Sequence, residues 1–181
     1  GSTDQHDGGV WAIYTDEPWN ENAKWSTPIR ISDGTCSSAP TVLRDGTWLL
    51  PVYSTSSGSA LHGANLFAFN GYDERWTLWS HVDTFTPSTF VEHSVVENPD
   101  GTLRIIMRTT SGIMEVTGTR GADGVSWTSP AMMTDRNTEE VLSNTSSRQC
   151  LITLSDDTPM SDALRNYIAA NYGTLEPGAI K

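Results

Sequence analysis

Three tryptophans stand at equal intervals, Trp25, Trp76 and Trp127, each 51 residues from the next. Two of them open nearly the same tetrapeptide, Trp25-Ser26-Thr27-Pro28 and Trp127-Thr128-Ser129-Pro130. The chain between them also repeats. APTVLRDGTWLLPVYS (39–54) resembles HSVVENPDGTLRIIMRT (93–109): an apolar run, an Asp-Gly-Thr turn and a second apolar run. Short β-branched and aromatic runs joined by Asp-Gly turns read as strand hairpins. A period of about 50 residues built of such hairpins fits the four-stranded blades of a propeller. A sandwich has no need of equally spaced tryptophans.

Further strand signals are VWAIY (10–14), NLFAF (65–69) and QCLITL (149–154), with turn chemistry at Asp33-Gly34, Asn70-Gly71 and Asp123-Gly124. The pattern changes near the end. Thr158 is suited to cap a helix, Pro159 to its first turn and Gly173 to its end, with Met160, Leu164 and Ile168 on one face. The expected organisation is therefore all-β: a disordered segment 1–9, about three propeller blades over 10–157, and a helix and tail over 158–181. A closed propeller needs four to eight blades, so association with another copy is one way to complete it.

Composition narrows the function. At 181 residues, 36% apolar and 18% charged, the chain can bury one core. Its formal charge of −11 and lack of a basic stripe argue against nucleic acid and anionic membranes. No apolar run approaches a membrane span. Cys36 and Cys150 fit no metal motif; they read as buried free thiols or as a pair in an oxidising compartment. No GxSxG elbow, HExxH, phosphate loop or dinucleotide fingerprint occurs, and no cofactor or metal is expected.

Chemistry concentrates in VEHSVVENPDGTLRIIMRTT (91–110). Glu92 opens one strand and Arg108 closes the next, across a turn at Asn98-Pro99-Asp100-Gly101. A carboxylate and a guanidinium so placed form either a rim ion pair or two parts of one site. His93 points to the face opposite Glu92 in a regular strand and reads as a packing or surface residue.

This hairpin resembles the sialidase (neuraminidase) superfamily. There a strand opening E-x-x-x-x-E is followed by an Asp-Gly turn and a strand ending in Arg; Glu92, Glu97, Asp100-Gly101 and Arg108 match. A second match is SNTSSRQCLITLSDD (143–157), in which Arg148 precedes an apolar strand and Ser-x-Asp. Ala122-Asp123-Gly124-Val125-Ser126-Trp127 is similar to the family's Asp-box, with the Asp displaced by one position. Such boxes imply tryptophans that anchor the core. The resemblance implies a β-propeller in which Glu92 polarises a tyrosine nucleophile and Arg108 and Arg148 clamp a substrate carboxylate. Tyr167 and Tyr172 are the tyrosines late enough in the chain for that role. Arg30-Ile31-Ser32 departs from the family's first arginine motif, and its catalytic Asp has no counterpart here.

The activity so implied is hydrolysis of a terminal sialic acid or related acidic sugar from a glycan, in a secreted or periplasmic setting. Guanidinium forks suit a carboxylate ligand. A neutral tyrosine avoids the repulsion that an anionic nucleophile meets at an acidic sugar. The rival expectations are a glycan-binding propeller without catalysis and an interaction scaffold.

Overall fold

The structure, a computed structural model, describes residues 8–56, 58–70, 75–82, 92–122, 124–135, 138–143, 150–151, 166 and 170. Those residues are all-β. Strands β1 (Val10–Ala12) and β2 (Ile29–Ser32) form an antiparallel pair. Strands β3 (Thr41–Val42), β4 (Trp48–Ser54), β5 (Gly63–Asn70) and β6 (Arg75–Val82) form a four-stranded antiparallel meander, the middle sheet. Strands β7 (His93–Glu97), β8 (Leu103–Thr109), β9 (Gly112–Gly121) and β10 (Gly124–Trp127) form a second meander. Strand β11 (Ala131–Met132) joins it by pairing with β9.

The three sheets are stacked, and strand alternation explains how. On β4, Leu49 enters a core shared with the second sheet, whereas Leu50 and Val52 enter a core shared with the first pair. On β5, Leu66 and Ala68 face the second sheet and Phe67 faces the first pair. Both faces of the middle sheet are thus covered, which is why β4 and β5 read as nearly continuous apolar runs. The second sheet contributes Val95, Leu103, Ile105, Met107 and Val116 to the shared core. Side chains also tie the edge strand β7 to the middle sheet: Ser38 Oγ donates to the His93 carbonyl at 2.9 Å and Thr41 Oγ1 to the Val95 carbonyl at 2.6 Å.

The two meanders are copies of one template. Gly46 and Gly101 take φ of 87° and 85°, a region open to glycine, at matching turns. Thr47 N donates to Asp45 Oδ1 and Thr102 N to Asp100 Oδ1, each at 3.0 Å. Leu43 N donates to the Thr47 carbonyl and Asn98 N to the Thr102 carbonyl, each at 2.8 Å. A hydroxyl ends each second strand and accepts from the amide two residues on, Ser54 from Ser56 at 3.3 Å and Thr109 from Ser111 at 3.1 Å.

The β1–β2 pair repeats the β9–β11 pair. Trp11 faces Arg30 and Ala12 faces Ile29, as Met114 faces Met132 and Glu115 faces Ala131. Ser26 N donates to the Tyr14 carbonyl and Tyr14 N to Ser26 Oγ, as Thr128 N donates to the Thr117 carbonyl and Thr117 N to Thr128 Oγ1.

Several expectations need correction. Strands β6 and β9 were not evident from sequence. The first run, 10–14, is strand only to Ala12. Trp76 and Trp127 do pack on cores, but Trp25 is 53% exposed and anchors none among the described residues. Both cysteines are free, Cys36 half-buried and Cys150 exposed, rather than buried. The expected helix over 158–173 lies outside the described residues except at Asn166 and Ala170, and so do Arg148, Tyr167 and Tyr172.

Candidate functional site

Glu92 and Arg108 meet. Arg108 N donates to the Glu92 carbonyl at 2.8 Å, so the β7–β8 ladder runs one residue past β7. Paired residues project to one face, and Arg108 Nη1 donates to Glu92 Oε2 at 2.7 Å. The side chains are 8% and 15% exposed, so this is not a rim ion pair. Two charges that far from water hold together only when each is matched closely, and loss of either partner strands the other.

A third residue joins them that the sequence reading did not single out. Tyr53 Oη donates to Glu92 Oε1 at 3.4 Å. Tyr53 is 5% exposed and stands next to last on β4. Its backbone is pinned from the far side: Tyr53 N donates to the Thr35 carbonyl at 2.9 Å, and Thr35 N to the Tyr53 carbonyl at 2.8 Å. Gly34, at φ 97°, permits that approach, since a Cβ there would sit 2.6 Å from the Tyr53 carbonyl oxygen. One carboxylate therefore accepts from a phenol and a guanidinium carried by neighbouring sheets. At 3.4 Å the phenol contact is long for an O–H···O hydrogen bond.

A signal for Tyr53 existed in the repeat. Counting from Thr47 and Thr102 of the two Asp-Gly-Thr turns, Tyr53 and Arg108 occupy the same place. Both lie at the ends of second strands, on the side of the stack away from those turns.

His93 is buried, with Nε2 3.0 Å from the Asn65 carbonyl oxygen. His81 Nδ1 donates to Asn65 Oδ1 at 2.7 Å, and Asn65 Nδ2 donates to the Leu61 carbonyl at 2.8 Å. These groups join the sheets behind Glu92 and do not face it.

The turn end of the stack holds a separate cluster. Arg120 reaches Asp45 at 2.5 Å and Glu97 at 3.6 Å, and Arg44 N donates to Glu97 Oε2 at 2.8 Å. The Arg120 hydrogen bond, with that from Thr47 N, holds the Asp45 carboxyl down at about 2. Glu97, which completes the E-x-x-x-x-E pattern, thus belongs to a latch between sheets. A groove of about 630 Å³, lined by Asn98, Asp100, Arg104, Glu115 and Thr117 among others, lies at this end too. Its charges Arg104 and Glu115 are paired with each other.

Among the described residues no cluster of His, Cys, Asp or Glu is suited to hold a metal ion. No helix among them is long and apolar enough to cross a membrane. No protein-family model matches the chain, and no curated protein is significantly similar to it.

Proposed function

We propose that the chain is a sialidase-like β-propeller module that hydrolyses a terminal sialic acid or related acidic sugar from glycans. The observation that carries this reading is the shared carboxylate: Glu92 accepts from Tyr53 on one oxygen and from Arg108 on the other. The sequence resemblance assigns Glu92 to polarising a tyrosine and Arg108 to the substrate carboxylate, and Tyr53 is the phenol that meets Glu92 among the described residues. The stacked, repeated meanders support the propeller part of the reading.

The chemistry follows from these groups. Tyr53 Oη attacks the anomeric carbon as its proton passes to Glu92 Oε1, and the glycosidic bond breaks with its electron pair going to the leaving oxygen, which takes a proton from solvent water and departs as an alcohol. Water then attacks the anomeric carbon and breaks its bond to Tyr53 Oη; Glu92 returns its proton to the phenol, and the proton lost by the water replaces the one the leaving group drew from solvent. A neutral phenol approaches an anionic sugar without the repulsion a carboxylate would meet. Burial strengthens the pull of Glu92 on the phenol, because the local dielectric is low. Tyr167 and Tyr172 remain alternative nucleophiles and Arg148 a second clamp, on the sequence resemblance alone. A secreted or periplasmic setting is part of the same proposal.

The burial of all three side chains also favours a second reading. In it the triad is a clamp between two sheets of a glycan-binding or scaffold propeller, without turnover. A fluorogenic α-sialoside assayed with the wild-type chain and Glu92→Gln separates the two. Turnover that disappears in the variant supports hydrolysis. No turnover in either, with both chains folded, overturns it in favour of the second reading.

A further inference from the structure

The repeat gives every sheet face a counterpart, which makes one bare face informative. On β9, Met114 and Val116 are 8% and 1% exposed, and Val116 lies in the core against the middle sheet. Trp127 packs on that core, and its indole N–H donates to Ser80 Oγ of β6 at 2.9 Å. One repeat earlier the same places are held by Asn65, Phe67 and Trp76. Asn65 and Phe67 are 0% and 6% exposed, and Phe67 and Trp76 pack with Val10 and Ile31 of the first pair. One repeat earlier again stand Trp11, Ile13 and Trp25. All three are 53% exposed.

The register that matches β1–β2 to β9–β11 makes this correspondence specific. Gly9, at φ 61°, stands where Gly112 opens β9 and Gly63 opens β5, also at positive φ. A large apolar face left bare is unusual for a solvated surface.

We propose that the face bearing Trp11, Ile13 and Trp25 is a docking surface for one more four-stranded sheet of this same repeat. The two internal junctions specify its chemistry. It presents small and branched apolar residues in the places of Leu49, Leu66, Ala68 and Val82, and a hydroxyl in the place of Ser80 for the Trp25 indole. It arrives with a hairpin that pairs with β1 on the side away from β2, as β8 pairs with β9. This inference does not depend on the hydrolase reading.

The test extends the full chain with its own repeat. Residues 33–111 are duplicated and joined directly to Gly9, so that Gly9 follows the copied hairpin as Gly112 does in the original. Hydroxyl-radical footprinting, read by peptide mass, reports Trp11, Ile13 and Trp25 separately. The expected result is a several-fold fall in oxidation at all three, with Trp25 reaching the rate of Trp127. Leu49→Asp and Leu66→Asp in the added copy alone should restore the original rates. Unchanged oxidation in the extended chain overturns the proposal, whether the added residues fold elsewhere or fail to fold, because a face made for that sheet templates it. Protection already present in the unextended chain and lost on dilution also overturns it, since a second copy is then the occupant.

Discussion

Tyr53 and Arg108 hold the same position in two successive repeats and converge on one carboxylate, that of Glu92. A repeat scaffold places equivalent strand ends side by side at one end of the stack. Different side chains at the equivalent position then make a mixed constellation.

The ion pair should dominate the stability of this end. Arg108→Ala leaves Glu92 buried without its guanidinium, and we expect a loss of about 3 kcal/mol. The double variant Glu92→Gln/Arg108→Met should lose less than the sum of its single changes, because the coupled charges leave together. Urea unfolding of wild type, Arg108→Ala, the two single changes of the double variant and the double variant itself measures both.

Tyr53→Phe removes one hydroxyl from a long hydrogen bond. Its stability cost should stay within ~1 kcal/mol, while turnover of an α-sialoside is lost. A clamp without chemistry predicts the small stability change and no activity in either chain.

Gly118 lies under Trp127. A Cβ there would sit 2.5 Å from Cζ3 of the ring, so Gly118→Ala must displace the indole from its seat. The expected cost is about 1–3 kcal/mol, with the Trp127–Ser80 hydrogen bond broken. Thermal unfolding and near-ultraviolet circular dichroism report the two effects.

Asp45 supplies a pH dependence whose sign is fixed. Its carboxyl titrates near 2 in the fold, below the roughly 3.9 of an unfolded aspartate. It stabilises fully above that unfolded value, and the contribution disappears as pH falls toward about 2. The pair is exposed, so the effect is small and screened by salt. In urea titrations, the advantage of wild type over Asp45→Asn should be present at pH 5, shrink between pH 4 and pH 2, and weaken in high salt.

The sequence makes the repeat legible because turns are local. Asp45-Gly46-Thr47 and Asp100-Gly101-Thr102 each fix a hairpin through their own hydrogen bonds. Glu92 and Arg108 were legible for the same reason, being cross-strand neighbours of one hairpin. Strand β9 was not, because Glu115, Thr117 and Thr119 alternate with Met114, Val116 and Gly118 and leave no continuous apolar run, and β6 carries Arg75, Thr77 and Ser80 at a sheet edge. Tyr53 was missed because its partner comes from another sheet, at a separation that no hairpin spans. Trp25 was misplaced because position in the repeat does not by itself bury a tryptophan; Trp76 and Trp127 pack on cores that a neighbouring sheet helps to form, and among the described residues Trp25 does not.

The most direct test of the central claim is to identify the residue that carries the sugar. A fluorinated sialoside that forms the glycosyl-enzyme but leaves it slowly is incubated with the full chain, and the labelled peptides are mapped by mass. The account predicts one added sugar, on Tyr53, and none in Glu92→Gln. A label on Tyr167, Tyr172 or any other residue contradicts the role given to Tyr53. No label at all, with the chain folded, contradicts hydrolysis through a tyrosyl intermediate at this site.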